Sequence, residues 1–305
     1  MPEFPDLTVY IESLQSRIVH QPLEKIRIAS PFLLRSFEPP IREAESREVL
    51  GLRRIGKQIV WDLENELFLV FHLMIAGRFH WKKRGAKAAG KAGLAAFDFP
   101  QGTLLLTEAS TKKRASLHLV KGESSLAGFD RGGLEVMNAS HGQFRAAIVK
   151  ENHTLKRILT DQHILSGIGN AYSDEILHRA KLSPLRQSQK ASDDEVARLY
   201  ASVQETLSEW IERLRELTGV SFPEKVTAFR PEMAVHGKFG KPCPVCGTRV
   251  QRIVYADNEC NYCPRCQTDG KILADRSLSR LLKGDWPKTI EELEADPGLN
   301  RSPAL

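Results

Sequence analysis

Four cysteines in the last quarter of the chain constrain its fold more than any other feature. The segment 243–266 reads CPVCGTRVQRIVYADNECNYCPRC, so Cys243 and Cys246 form one C-x2-C pair and Cys263 and Cys266 a second, with sixteen residues between. This is zinc-ribbon spacing. The tight turn inside each pair lets both sulfurs face one ion, and the intervening segment is long enough for a hairpin that brings the pairs together. Four thiolates leave no open coordination position, so the expected metal is a single structural zinc ion with no catalytic part. Reduced or disulfide-bonded cysteines in a chance pattern would leave unexplained why four of the five cysteines fall on this spacing. The fifth, Cys260, lies three residues before Cys263 and could compete for metal, but the pairing at both ends makes it a bystander.

A chain of 305 residues can bury two modest cores. Its apolar fraction of 41% and charged fraction of 27% are ordinary for a soluble protein, and no run approaches the length of a membrane span. The net charge of +6 favours a polyanionic partner. The opening MPEFPDLTVY is acidic where a signal peptide would be basic, so the expected compartment is the reducing cytoplasm, where thiolates stay available to metal.

The N-terminus has two compatible readings. Removal of Met1 would leave Pro2 with a free secondary amine. An α-amino group has a pKa roughly 2.5 units below that of lysine. Part of it is therefore neutral near pH 7, and it can attack an aldehydic sugar carbon to form an iminium ion. Glu3 and Asp6 place carboxylates beside that point. The plainer reading is a helix start: Pro5 and Asp6 lead into LTVYIESLQSRI, with Tyr10, Leu14 and Ile18 on one stripe. Such a helix would hold the terminus in place. From Leu23 to Thr107, the runs LEKIRIAS, EVLGLRRIGKQIVWDL, ELFLVFHLM, GLAAFDF and TLLLTEA are separated by turn residues and predict a β-sandwich or barrel. The basic, Gly/Ala-rich stretch RFHWKKRGAKAAGKAG, residues 78–93, is expected to be a mobile loop. Lys57, in RRIGKQIV, reads from its own surroundings as an ordinary surface lysine at a strand turn.

The pattern then becomes helical. HTLKRILTDQHILSGIGNAYSDEILHRAKLSP predicts helices over 153–162 and 170–180, joined by a Gly-rich turn, with Asn170 as the cap of the second. Gly167 and Gly169 allow close backbone approach, and amides at a helix start favour an anion. The string is consistent with a helix-two-turn-helix phosphate clamp or with an ordinary interhelical turn. Two further helical stretches are expected over 192–217, with Leu199, Val203, Leu207 and Ile211 as a packing stripe. TGVSFPEKVTAFRPEMAVHGKFGKPC interleaves Phe222, Phe229 and Phe239 with Lys225, Arg230, Lys238 and Lys241, and reads as a functional loop leading into the ribbon. The Pro-containing tail is expected to fray.

Three signatures in order, MPEFPD, DQHILSGIGNAYSDEIL and C-x2-C-x16-C-x2-C, make the chain resemble the formamidopyrimidine-DNA glycosylase and endonuclease VIII family of base-excision repair enzymes. The resemblance implies a two-domain α+β fold: an N-terminal helix plus β-sandwich, then a C-terminal helical domain with a helix-two-turn-helix and a zinc-ribbon hairpin. The expected limits are 1–130, 131–235 and 236–275, with a tail over 276–305. It implies that Pro2 attacks C1′ of the damaged nucleoside, that Glu3 transfers protons, and that Lys57 and Asn170 contact phosphate near the lesion. Asp6 stands where the family usually has glutamate. Such enzymes flip the nucleotide out, remove the base and cut the strand by β- or β,δ-elimination. The implied partner is DNA containing damaged bases or abasic sites, bound by a monomer in a bacterial-type, nucleoid-associated setting with no membrane.

The sequence departs from the family pattern at three points. Asn258 stands where the zinc hairpin usually carries arginine, so phosphate binding there should weaken unless Arg252 or Lys238 fills in. Ile75 stands for the methionine that plugs the space of the flipped base, with Met74 beside it. The loop that usually bears an intercalating aromatic reads TEASTKKRAS, with Lys112 and Lys113 in place of a wedge. Opening of an intact duplex should therefore be poorer, which makes unpaired or abasic substrates more plausible. The expected activity is a bifunctional DNA glycosylase and AP lyase. The rivals are an AP lyase or unusual-lesion and single-strand processor with weak oxidised-purine activity, and a non-catalytic damaged-DNA binding protein.

Overall fold

A computed structural model describes residues 1–224, 226–255, 258–274 and 286–295. The chain divides into two compact units. The first comprises residues 1–133 together with 208–228, and the second comprises 134–207 together with everything from 229 onward.

The first unit is the helix-plus-sandwich half. Helix α1 (Phe4–Ile18) begins at Glu3 with a reciprocal capping box to Asp6 and a proline in its first turn. Leu7, Tyr10, Leu14 and Ile18 recur at helical spacing and are all completely buried. They join one core with the inward faces of two antiparallel sheets. One sheet has strand order β1-β3-β4-β5-β9, built from β1 (Pro22–Leu23), β3 (Arg47–Ile55), β4 (Gln58–Leu63), β5 (Leu67–His72) and β9 (Ser116–Lys121). The other, β2-β7-β8-β6, comprises β2 (Lys25–Ile28), β6 (Gly77–Lys82), β7 (Gly93–Phe99) and β8 (Gly102–Glu108). Trp61, Phe71, Phe79 and Phe97 meet between the sheets at ring separations of 4.6 to 5.4 Å, and they fill the sandwich with rigid apolar volume.

Two expectations need correction in this unit. The stretch 78–93 is not one loop, because residues 78–82 lie in β6, paired with β8 from Arg78↔Thr107 to Lys82↔Thr103. Its alternating Arg-Phe-His-Trp pattern is a strand pattern that the basic residues obscured. The segment 208–228 returns to the first unit instead of staying with the helices. Phe222 and Val226 are buried in the sandwich core, and Phe222 lies 5.8 Å from the Tyr10 ring.

The second unit contains α2 (His141–Val149), α3 (Leu155–Thr160), α4 (Asn170–Arg179) and the first part of α5 (Asp193–Thr218). Where two helical stretches were expected over 192–217, there is one helix of 26 residues, because nothing in the run breaks its apolar stripe. Helix α2 was not anticipated, although Ser140 and Gln143 form a capping box at its start. The ribbon hairpin pairs β10 (Gln251–Tyr255) with β11 (Asn258–Tyr262), followed by α6 (Pro264–Thr268). The tail returns to this ribbon: Ile272 N–H donates to Lys288 O and Ile290 N–H to Gly270 O. Residues 296–305, expected to fray, lie outside the described residues. Among the described residues, no helix is long and apolar enough to cross a membrane.

Candidate active site and metal centre

In the first unit the expected catalytic residues gather around the N-terminus. The capping box draws Asp6 onto the backbone of Glu3, whose N–H donates to Asp6 Oδ2 at 3.0 Å. Glu3 is 3% and Asp6 2% exposed. Asp6, expected among the DNA contacts, is thus turned inward: it fixes the start of the helix and with it the direction of the terminus. The Met1 ammonium has its pKa held below the ordinary α-amino value by burial, and Arg78 and Lys57 push the same way against Glu3 and Asp6. The charges of Glu3, Asp6, Lys57 and Arg78 therefore all act on the terminal amine.

Lys57 follows Gly56 in the β3–β4 turn, where Gly56 takes φ +59°. Its exposure is only 8%, so the reading as an ordinary surface lysine is overturned. The turn is anchored by Arg54, which donates to Gly56 O at 2.6 Å and stacks 4.4 Å above the Phe4 ring. The turn and the helix start are thereby joined, a link between residues fifty apart in sequence.

Ile75 sits at the tip of the β5–β6 turn and is 60% exposed. Met74 beside it adopts φ +52°. That turn is tied at its base by His72, whose Nδ1 accepts from Met74 N–H at 3.1 Å. His72 has a pKa pushed down to about 4 by burial, with Lys57, Arg131 and His118 acting in the same direction. Arg78 donates to Ile75 O, to Gly77 O and to Val226 O. It thereby joins the Ile75 turn to the segment 219–228, a role that sequence analysis missed because Arg78 was assigned to a loop. Lys112 is exposed in the β8–β9 connection. That connection folds over Glu108, which is 1% exposed and whose carboxylate accepts the N–H groups of Arg114 and Ala115.

The second unit holds the other expected residues. Asn170 is the first residue of α4, and the cap position belongs to Gly169. The side chain of Asn170 is therefore not spent on its own helix: Nδ2 donates to Glu259 O of the ribbon hairpin at 2.7 Å. Lys156 Nζ donates to Asn170 O, Ser173 Oγ and Asp174 Oδ1 at 2.9, 2.7 and 2.5 Å. The other oxygen of Asp174 accepts from Asn261 N–H at 3.2 Å and lies 2.8 Å from His236 Nδ1. Glu175 accepts the consecutive N–H groups of Ala234, Val235 and His236. Helix α4 is thus the element from which the ribbon hairpin and the segment leading into it are hung.

Arg252 does not take the part suggested for it. It is paired with Glu259 at 3.0 Å and lies 4.3 Å over the Phe239 ring, so its charge is committed within the ribbon. Lys238 is half-buried, with Nζ donating to Pro231 O at 2.8 Å. Asn258 opens β11, and its side chain lies outside the described residues, as does all of Lys225.

Cys243, Cys246, Cys263 and Cys266 bring their sulfurs within 4.8 Å of one another. The Cys243–Cys266 and Cys246–Cys263 separations are 3.9 and 3.4 Å. A tetrahedral zinc with bonds of about 2.3 Å requires edges of about 3.8 Å, and a disulfide about 2.05 Å. The residues therefore fit one structural zinc ion. Cys260 stands outside the quartet, buried beside Asp174.

Comparison with known proteins agrees with the fold and with the four-cysteine centre. Residues 1–115 match the formamidopyrimidine-DNA glycosylase N-terminal domain, 135–221 its H2TH domain, and 240–268 the zinc finger found in FPG and IleRS. The formamidopyrimidine-DNA glycosylase of Heliobacterium modesticaldum is 31% identical over 280 residues, covering 88% of this chain and 100% of that protein. An uncharacterized formamidopyrimidine-DNA glycosylase-like protein of Mycobacterium tuberculosis is 40% identical over 152 residues, 50% of this chain and 94% of its own length. The Fpg of Lactococcus lactis, solved with DNA containing an abasic site, superposes with a TM-score of 0.77 at 25% identity, covering 87% of this chain and 99% of that one. The chain belongs to the formamidopyrimidine-DNA glycosylase family.

Proposed function

We propose that this protein is a DNA glycosylase with AP lyase activity, acting on damaged bases and abasic sites through the amine of Pro2 once Met1 is removed. The observation that supports the reading is the setting of the N-terminus: the Met1 amine, one residue before Pro2, is made less basic by burial, Arg78 and Lys57, and Pro2 itself directly precedes the buried Glu3. A neutral amine is the form that attacks carbon, so lowering its pKa raises the reactive fraction at neutral pH.

In the proposed sequence the Pro2 nitrogen bonds to C1′ as the C1′–base bond breaks; the C1′–O4′ bond then breaks as Glu3 relays a proton to O4′, which opens the sugar ring and leaves an iminium at C1′. The resulting iminium acidifies C2′. Loss of a C2′ proton to a base then forms the C2′–C3′ double bond as the C3′–oxygen bond breaks, and the 3′ phosphate leaves. Water finally releases the sugar from Pro2. Lys57 and Asn170 are the proposed phosphate contacts, and zinc has no step in this chemistry. The partner is damaged DNA, met by a monomer in the cytoplasm.

The test is borohydride trapping on abasic DNA, with intact mass confirming loss of Met1. A covalent adduct that disappears in Pro2→Gly supports the reading. Equal trapping by Pro2→Gly, or full activity with Met1 retained, removes it. Binding without trapping favours a non-catalytic damage binder.

One observation favours a narrower substrate range. The connection holding Lys112 has no aromatic residue between Glu108 and Ser116, and Ile75 presents a branched aliphatic side chain at its turn. Neither supplies a flat wedge for a base stack, so we propose a preference for unpaired or already abasic sites. Faster excision from fully paired duplex than from single strands would refute it.

A further inference from the structure

We propose that His178 is a positioning residue for the zinc centre, donating a hydrogen bond from Nε2 to the Cys243 thiolate. It would thereby tie that ligand to the helix that begins with Asn170. His178 Nε2 lies 3.3 Å from Cys243 Sγ, and the two residues are 7% and 2% exposed. His178 occupies the last turn of α4, two turns beyond Asn170 on the same rigid element.

The chemistry of the pair sets the direction of the bond. A zinc-bound cysteine is a thiolate and can only accept, so the proton between the two atoms belongs to nitrogen. The nitrogen that faces the sulfur is Nε2, so the donating N–H is on Nε2. A zinc ion with four thiolates carries a net charge of about −2. Here it is enclosed by Val235 and Val250 together with the two buried cysteines, an apolar surrounding that makes such a charge costly without donors. Cys246 receives the hydroxyl and N–H of Thr248, and Cys263 receives the N–H of Cys266, both from inside the ribbon. The side-chain donor to Cys243 comes from 65 residues away.

Such a bond draws electron density from sulfur and holds its lone pairs toward the metal. Partners of this kind change metal affinity by roughly 10- to 100-fold when removed. It also gives the ribbon a polar attachment to α4 beside Asn170 and Asp174. The inference concerns the zinc centre alone and stands whether or not Pro2 is the nucleophile.

The experiment uses the full-length zinc protein and its cobalt-substituted form. His178→Phe fills the space without a donor, and His178→Gln restores an amide N–H. Zinc transfer to a chromogenic chelator should be about tenfold faster in His178→Phe, and the thiolate-to-cobalt charge-transfer band should move to lower energy. His178→Gln should recover part of both changes. Faster zinc loss with an unmoved band would assign the effect to packing and overturn the proposal, as would unchanged zinc loss. Should His178→Phe not be recovered folded, long-range 1H–15N spectra of the wild-type zinc protein decide: an Nε2–H tautomer for His178 supports the proposal, and an Nδ1–H tautomer overturns it.

Discussion

Replacing Asp174 by asparagine tests whether helix α4 organises the second unit. The Asp174 side chain is completely buried, and its two oxygens serve Lys156 at 2.5 Å, His236 at 2.8 Å and the Asn261 N–H at 3.2 Å. Lys156 is 13% exposed at its side chain. Asparagine keeps the volume and one acceptor but removes the charge that opposes the Lys156 ammonium. At an effective dielectric near 20, two unit charges at that distance attract by roughly 7 kcal/mol, and breaking one side of a buried pair costs about 3 to 5 kcal/mol. The expected loss in Asp174→Asn is therefore about 3 kcal/mol or more, read by urea denaturation of the zinc-loaded protein with a probe in the second unit. Lys156→Met in the same background should return part of that loss, since no unpaired ammonium would remain, and the cycle should show coupling above about 1 kcal/mol. Because Lys156 also holds Asn170 O, affinity for abasic-site DNA should fall in both single variants. A loss below about 1 kcal/mol in Asp174→Asn, or strict additivity in the double variant, would refute the view that this pair supports the clamp.

Other outcomes follow from single contacts. Cys263→Ala should release zinc and make the ribbon between 240 and 274 susceptible to limited proteolysis, because burial of the quartet depends on the ion; an intact, protease-resistant ribbon without zinc would contradict this. His72 has a folded pKa of about 4 against an ordinary 6.5, so the unfolded chain binds more protons between those values and stability rises with pH across that window. Its share is at most about 3 kcal/mol, present above pH 6.5 and lost as pH falls toward 4, so His72→Asn should flatten the acid limb of the stability profile and leave pH 8 nearly unchanged. Tyr10→Phe should cost about 1 to 3 kcal/mol, because the hydroxyl accepts the buried Phe79 N–H at 3.3 Å; urea denaturation of the first unit measures it.

Features carried by short spacing were legible in the sequence. The two C-x2-C pairs, the helix stripe of Tyr10, Leu14 and Ile18, and the Gly-rich turn before α4 each lie within a few residues of one another, so local geometry alone brings them together. The strand runs up to Thr107 were visible for the same reason, except β6, whose alternation three basic residues masked, while β9 lies beyond the expected runs. Asn170 lies at the start of α4, one residue inside the cap that the sequence assigned to it, and its side chain bonds to the hairpin and not to its own helix.

What tertiary structure decided lies at longer range. Lys57 reads as a surface lysine until the sandwich and the helix start enclose it, and Arg252 reads as a free cation until the hairpin sets Glu259 opposite and Phe239 beneath. Phe222, just over two hundred residues after α1, belongs to that helix's core. His178 gains meaning only when Cys243 arrives beside it. Chain geometry determines which neighbours three or four residues away can touch, whereas partners sixty or two hundred residues apart are chosen by the burial of whole faces. The cysteine spacing and the MPEFPD signature at the N-terminus were therefore written locally, and the burial and pairing of the groups around them came from the fold.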